Sequence, residues 1–493
     1  MAQGANTHSA SVIVAAASRT LRAFLRLLAL LCFATAVAGA GEAPSSLAIV
    51  GATVIHPERD ATAAVAPDTT IVIRRNRIQA VGPSRDTPIP LDARIIDAHD
   101  KWVVPGLIDA HVHFFQSGNL YARPDIADFT GWMPFAQETA RNKARLPATF
   151  KVWLASGVTS VVDIGGPLWN FEMRESARWT EAAPRVAAAG PLVSMLARPQ
   201  LDLGDPPIIQ ASTPEQARAI VQRELPYHPD YIKVWFIHEP GDDLARQEAI
   251  VKAAGEAAHA GGVRFAVHAT ELAVAKAALR AGADYLVHSV MDVLVDDEFI
   301  ALARRADVLY CPTLFVLDGY ALALSGRWQP TDVERRFADP QVLSAMSDLA
   351  HIPRDRMPTW VARLVDQGGS GASGVPHIAL DNLQRVSNAG IRVVMGTDAG
   401  NIGTLHGPSV FREMELMARA GLTPLQILRA ATTHGAAAMN LPDDIGAIAP
   451  GRLADLIIVD ADPLERVGNL SAIHQVVRDG RIFDPDELIA SLH

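Results

Sequence analysis

Two histidines separated by one residue, His111-Val112-His113, leave an apolar run that begins at Val103-Val104-Pro105-Gly106-Leu107-Ile108. In a β-strand successive side chains alternate faces, so His111 and His113 point one way and Val112 the other. Two imidazoles on one face can grip one metal ion. Four more residues competent for metal or proton chemistry close later apolar runs. They are Lys233 in Asp230-Tyr231-Ile232-Lys233-Val234-Trp235, His268 after Phe265-Ala266-Val267, His288 after Tyr285-Leu286-Val287, and Asp398 after Val393-Val394-Met395-Gly396-Thr397. A lone histidine at a strand end is most often a hydrogen-bonded structural residue. Six such residues at the same end of successive strands point to metal chemistry instead. Imidazole and carboxylate suit Zn2+, and Mn2+ or Fe2+ less selectively. A bound metal brings the pKa of its water to about 7 and so supplies hydroxide at neutral pH. A carboxylate such as Asp398 can take the proton during attack and return it to a leaving amine. A buried lysine is a poor ligand while charged. It becomes one if its amine reacts with CO2, giving a carbamate that bridges two metals as a carboxylate does.

These residues need a scaffold that brings strand ends together. Apolar runs recur near 107–113, 158–163, 185–190, 230–236, 263–268, 284–288, 308–313 and 391–397, with helix-like stretches such as 214–224, 247–260 and 271–281 between them. Strands alternating with helices predict an α/β fold, a parallel sheet closed as a (β/α)8 TIM barrel. An open doubly wound sheet is the alternative, and no Gly-x-Gly-x-x-Gly follows the first strand to favour it. The barrel is expected over 105–444. Active sites of this fold lie at the C-terminal ends of the strands. Two long connections, 114–150 and 314–390, would rise over that face as lids. The second carries the run Gly368-Gly369-Ser370-Gly371-Ala372-Ser373-Gly374.

Both ends of the chain have a different texture. β-Branched runs bounded by Gly, Pro, Asn and Asp occur at 47–50, 70–73, 78–81 and 94–97, and again at 455–459 and 475–482. They predict one small β-sandwich domain made from 44–104 and 445–493. Before it, Arg19, Arg22 and Arg26 precede the apolar run 27–34 and the small residues 36–40. That order reads as a secretory signal peptide over 1–40, too short for a comfortable membrane span. The expected location is secreted or periplasmic, with no stable membrane anchor after cleavage. Cys32 would leave with the signal, and Cys311, in Leu309-Tyr310-Cys311-Pro312, would be alone, a buried strand thiol with no disulfide partner. The 493 residues are 49% hydrophobic and 20% charged, an ordinary globular composition with room for a large core. Their net charge of −10 disfavours general nucleic-acid binding.

His111-Val112-His113, Lys233, His268, His288 and Asp398, in that order, resemble the amidohydrolase superfamily. The wording is similar to its imidazolonepropionase-like and prolidase-like branch in Val103-Val104-Pro105-Gly106-Leu107-Ile108-Asp109-Ala110-His111, in Met395-Gly396-Thr397-Asp398-Ala399-Gly400 and in Pro450-Gly451-Arg452-Leu453-Ala454-Asp455-Leu456. The resemblance spans about 46–485. It implies two Zn2+ ions, the first held by His111, His113 and Asp398 and the second by His268 and His288. An N6-carboxylysine at Lys233 would bridge them together with a hydroxide. The hydroxide would attack a polarised amide carbonyl, with Asp398 as proton shuttle. If Lys233 is unmodified, one metal is expected.

The substrate is less legible. Tyr231 shares a strand face with Lys233 and is a candidate substrate contact, as is His406 in Gly403-Thr404-Leu405-His406-Gly407. Asp163 closes the second strand and could orient a ligand. His238 reads as a surface histidine and His434 as helix packing. Tyr121, Trp132 and Trp235 suggest an apolar pocket. The expected enzyme is an exported hydrolase of a small molecule, cleaving a C–N bond other than a peptide bond, in an N-acyl amino acid or cyclic amide, or acting as a dipeptidase. Alternatives are a mononuclear deaminase-like enzyme, a lactone or ester hydrolase, and a non-catalytic exported binding protein on a hydrolase barrel.

Overall fold

The computed structural model describes residues 46–492, so the expected signal segment over 1–40 lies outside the described residues. The terminal segments meet in one eight-stranded sheet. Its strands are β1 (Ser46–Ile55), β2 (Val65–Arg74), β3 (Arg77–Pro83), β4 (Ala93–Asp97) and β5 (Trp102–Pro105) from the N-terminal part, then β16 (Leu456–Val459), β17 (Ile473–Arg478) and β18 (Arg481–Phe483) from the C-terminal part. The order is β18-β17-β16-β5-β1-β2-β3, with β4 also on β1. Antiparallel pairing of β5 with β16, from Trp102 opposite Val459 to Pro105 opposite Leu456, joins the two ends of the chain. The run 475–482 is not one strand. Asp479 and Gly480 both have positive φ, which is what a two-residue hairpin turn requires, and they split it into β17 and β18. The side chain of Asn76, in the β2–β3 turn, donates to Asp479 Oδ1 at 3.1 Å, so the two hairpin turns dock on each other.

Between the ends lie β6 (Leu107–Val112), β7 (Val158–Asp163), β8 (Arg185–Ala188), β9 (Leu192–Ser194), β10 (Ile208–Gln210), β11 (Tyr231–Trp235), β12 (Arg264–His268), β13 (Tyr285–Val287), β14 (Leu309–Cys311) and β15 (Arg392–Val393). All eight apolar runs of the middle segment are strands. The short β9 and β10 are additional, too brief to register as hydrophobic runs. The pairing is parallel throughout, in two ladders: β6-β7-β8 and β10-β9-β11-β12-β13-β14-β15. Single parallel bridges, Ala189 to Tyr231 and Val112 to Ala399, link one ladder to the other at both edges. β6 and β7 are buried at every position, as expected where both faces of a parallel sheet are covered. The apolar run Val103–Val112 is divided at Gly106: its first half belongs to the terminal sheet and its second half to the parallel strands.

Helices form where the sequence placed them, with caps that fix their starts. Pro214–Glu224 begins behind Thr213, whose side chain accepts from Gln216 N. Leu244–Ala260 begins behind Asp243, which accepts from Ala245 N and Arg246 N. The two long connections are ordered by their own apolar core. Leu120, Tyr121 and Phe129 from the first pack with Leu324, Trp328, Met346 and Val361 from the second and with Ile402 and Leu405. Among the described residues no helix is long and apolar enough to cross a membrane.

Candidate metal centre

Two strand ends place the histidine pair and the aspartate. The segment after β15 runs alongside β6: Ala110 N donates to Met395 O, Asp398 N to His111 O and His113 N to Ala399 O, at 2.8–2.9 Å. This register puts Asp398 against the pair. Asp398 Oδ1 lies 3.3 Å from His111 Nε2 and 3.1 Å from His113 Nε2, and the two Nε2 atoms are 3.4 Å apart. Among the described residues, these three form the cluster whose potential ligand atoms all lie within 4.8 Å of one another, and all three are buried. His113 Nδ1 sits 2.7 Å from Gly165 O. With the ring proton on Nδ1, Nε2 is left as a lone-pair donor facing the cluster.

His268, His288 and Lys233 complete the ring. The His268 and His288 rings are 4.2 Å apart by centroid, and those of His288 and His111 are 5.0 Å apart. His288 Nδ1 is held by Thr313 Oγ1 at 2.6 Å. Lys233 is 1% exposed, and its Nζ has no hydrogen-bond partner. An unpartnered buried amine costs folding energy, so its retention among imidazoles is explained if it serves a ligand. Burial pulls the Lys233 amine down to about 7 and the His111 imidazole down to about 4, and holds His268 and His288 well below the usual imidazole range. Neutral nitrogens are the form that binds a metal. His288, Thr313 and Asp398 all have φ between 43° and 75°. Strained non-glycine backbone of this kind clusters at functional sites.

Several polar residues that position this centre escaped the sequence reading. Asp109 lies two residues before His111, on the same strand face. Its carboxylate accepts His111 N at 3.2 Å, Thr397 N at 3.0 Å and Thr397 Oγ1 at 2.6 Å. It therefore ties the histidine strand to the residue preceding Asp398. Burial pushes this carboxyl up to about 7. Asn401 donates to Asp398 O and accepts from Arg123 and Tyr320. Arg123 is gripped by both oxygens of Asp125 at 2.7 Å. The alternation Asp109/His111/His113 was a readable signal. The Arg123–Asn401 contact, 278 positions apart in sequence, had none.

The remaining candidates fall elsewhere. Tyr231 is at the opposite end of β11 from Trp235, its hydroxyl bonded to Ala438 O and its ring 5.6 Å from that of Tyr285. His406 packs flat on Phe114 and touches the backbone of His113 through Nε2 at 3.2 Å. Neither lines the cleft that contains the histidines. Asp163 is buried at the end of β7 and accepts from Asn170. His238 bonds Gln247 and His434 bonds Val393 O, both outside the cleft. Cys311 is free and buried. The cleft has a volume of about 210 Å3. Metal-competent residues form its floor. Phe115, Trp235, Met291, Val316 and Leu317 contribute to apolar walls.

This arrangement, with buried neutral imidazoles and a carboxylate converging at the ends of parallel strands under an apolar cleft, defines the class of a metal-dependent hydrolase on an α/β fold. Residues 102–483 match the amidohydrolase family, and the chain belongs to it. The family is metal-dependent and hydrolytic. An imidazolonepropionase from Sphingopyxis alaskensis is 23% identical over 441 residues, covering 84% of this chain and 92% of its own. An uncharacterised protein of Mycobacterium bovis is 26% identical over 400 residues, covering 78% and 86% respectively. The crystal structure of a Xaa-Pro dipeptidase with methionine in its active site superposes with a TM-score of 0.65 at 22% identity, covering 89% of this chain and all of that one. The structural likeness implies the TIM-barrel type of α/β fold, and the family assignment makes the chain a hydrolase.

Proposed function

We propose that this chain is an exported amidohydrolase that cleaves the amide C–N bond of an N-acyl amino acid, a dipeptide or a cyclic amide at a two-metal centre. The observation that carries the reading is the convergence of His111 Nε2, His113 Nε2 and Asp398 Oδ1 within 3.4 Å, beside an orphaned Lys233 amine and the His268–His288 pair. His111, His113 and Asp398 would hold one Zn2+. His268 and His288 would hold the other, with carboxylated Lys233 between them. Metal ions bound there would polarise the substrate carbonyl and lower the pKa of water toward neutrality. Asp398 is placed to accept a proton on one oxygen and pass it to the leaving nitrogen. Asp109 and Asn401 keep that carboxylate aimed. The apolar walls exclude bulk water and strengthen each polar contact inside.

The parallel bridges at Ala189 and Val112 support closure of the eight principal strands into a full barrel. The branching of the terminal sheet at β1, which carries β4 along one half and β5 along the other, supports its folding into a sandwich. The basic and apolar segment before residue 40 supports export. The test is hydrolysis by metal-loaded protein of a panel containing N-acyl amino acids, dipeptides, cyclic amides, lactones and aminated heterocycles. Release of a free amine from the first three classes, abolished in Asp398→Asn, supports the proposal. Turnover confined to the lactones or to the heterocycles would replace it.

A further inference from the structure

The helix Phe315–Leu324 crosses the rim of the cleft and continues beyond it. Its residues Leu317, Tyr320, Ala321 and Leu324 follow the i, i+3, i+4, i+7 spacing of one helix face. Leu317 and Tyr320 line the metal-centre cleft. The same two residues, with Ala321 and Leu324, line a second hollow of about 560 Å3. Ile126, 40% exposed, belongs to both hollows. The far wall of the second is Trp360, 47% exposed, and Leu364, from the helix Thr359–Asp366, and it ends at the run Ser370–Ser373. The two hollows are thus one path with an apolar floor. The helix is seated firmly: a Cβ on Gly319 would come within 2.8 Å of Thr404 Oγ1 and 3.0 Å of the Gly403 backbone, in the loop that follows Asp398. Glu413 accepts the backbone N–H groups of Leu314 and Phe315 at its start, at 2.9 and 2.7 Å. The floor therefore stands in fixed relation to the metal centre.

The charges along the path are few and placed at its edges. Arg123, at the cleft end, is neutralised by Asp125, and Arg363 stands in the wall of the outer hollow. A charged or strongly polar group lying against Leu317, Ala321 and Leu324 would lose hydration without gaining a partner from that stripe; the polar side chains of the outer hollow, Arg363, Gln367, Ser370 and Ser373, stand on its other walls. A hydrocarbon would not. The stripe from Leu317 to Leu324 spans seven residues of helix, about 10 Å. That is the length of roughly eight carbons of an extended chain.

Resting on the amide-hydrolysing reading above, we infer that the substrate is an amide whose acyl side carries an unbranched, uncharged hydrocarbon arm of about eight carbons. The arm lies along Leu317, Ala321 and Leu324, and the amide sits over the histidines.

The test uses N-acylglycines with acyl chains from acetyl to dodecanoyl. Binding to the metal-loaded and the chelator-treated protein is followed by calorimetry, and hydrolysis by glycine release. Affinity should rise about three- to fourfold per methylene and level off near eight carbons. Ala321→Trp, which fills the path outside the metal centre, should flatten the series and leave acetylglycine binding unchanged. Trp360→Ala provides an independent variant and should reduce the slope. Equal affinity for acetyl and octanoyl chains, or a slope untouched by Ala321→Trp and Trp360→Ala, would overturn the inference. Chain-length-dependent binding with no hydrolysis of any member would keep the groove and refute the hydrolytic reading instead.

Discussion

Replacing Lys233 with methionine should act in opposite directions on the metal-free and the metal-loaded protein. The side chain is 1% exposed and its amine makes no hydrogen bond. Burial takes its pKa from the ordinary 10.5 to about 7. A tenfold change in proton affinity is worth about 1.4 kcal/mol, so the burial of this amine costs the metal-free protein at most about 5 kcal/mol at pH 7 or below. Between pH 7 and 10.5 the unfolded chain holds a proton that the folded chain has released, so metal-free wild type gains stability as pH rises through that window. Methionine has nearly the same shape and no charge. Metal-free Lys233→Met should therefore be more stable than wild type at pH 7 by on the order of 2–5 kcal/mol, and the advantage should vanish toward pH 10.5. Guanidinium unfolding in chelator and CO2-free buffer at several pH values measures this. With Zn2+ and bicarbonate present the order should reverse, because the variant cannot form the bridging ligand. A metal-free variant less stable than wild type at pH 7, or a difference that does not change with pH, would refute the reasoning.

Glu224 is 2% exposed and neither carboxylate oxygen has a partner, so burial raises its pKa well above the usual carboxylate range. Its folded pKa lies above the unfolded one, so stability is lost as pH rises above the ordinary carboxylate value; Glu224→Met should add about 1–3 kcal/mol at pH 8 and little at pH 4, read by denaturant midpoints. Asp109→Ala leaves the N–H groups of His111 and Thr397 buried without an acceptor; it should cost about 2–4 kcal/mol and weaken metal affinity about 10- to 100-fold in chelator competition. Unchanged affinity would deny Asp109 its positioning role. Arg123→Met takes the two short hydrogen bonds from Asp125, whose side chain is fully buried, and leaves it only Arg198 Nε at 3.7 Å; it should cost about 3–5 kcal/mol, and most of that should return in Arg123→Met/Asp125→Leu. A double variant no better than the single would show that the pair is not the reason.

The principal parallel strands were legible because each is a short apolar run buried on both faces, and because the chemistry sits where such runs stop. His111, His113, His268, His288 and Asp398 could be read from that coincidence alone, and the structure brings them together. Lys233 was legible as a cation where an apolar residue belongs. The terminal strands were legible as elements, but their pairing of β5 with β16 depends on residues more than 350 positions apart, a distance at which local pattern is silent. In sequence the strand texture carries across 475–482, and the Asp479-Gly480 turn divides it into β17 and β18. Tyr231 shares a face with Lys233, as alternation requires, yet stands one layer further from the cleft. Depth along a strand is set by where the strand ends, which its composition does not specify. Arg123 and Asn401 look like ordinary surface residues in sequence. Only tertiary pairing makes them parts of the centre.

His111, His113, Lys233, His268, His288 and Asp398 bring the proposed metal centre together at the strand ends. Its most direct test is the metal content of protein purified without chelator and re-equilibrated with Zn2+, by elemental analysis per folded chain. The account predicts about two equivalents in wild type, about one in Lys233→Met and a loss of tight binding in His111→Ala/Asp398→Ala. Wild-type protein that retains no metal, or a His111→Ala/Asp398→Ala variant that retains as much as wild type, would contradict it.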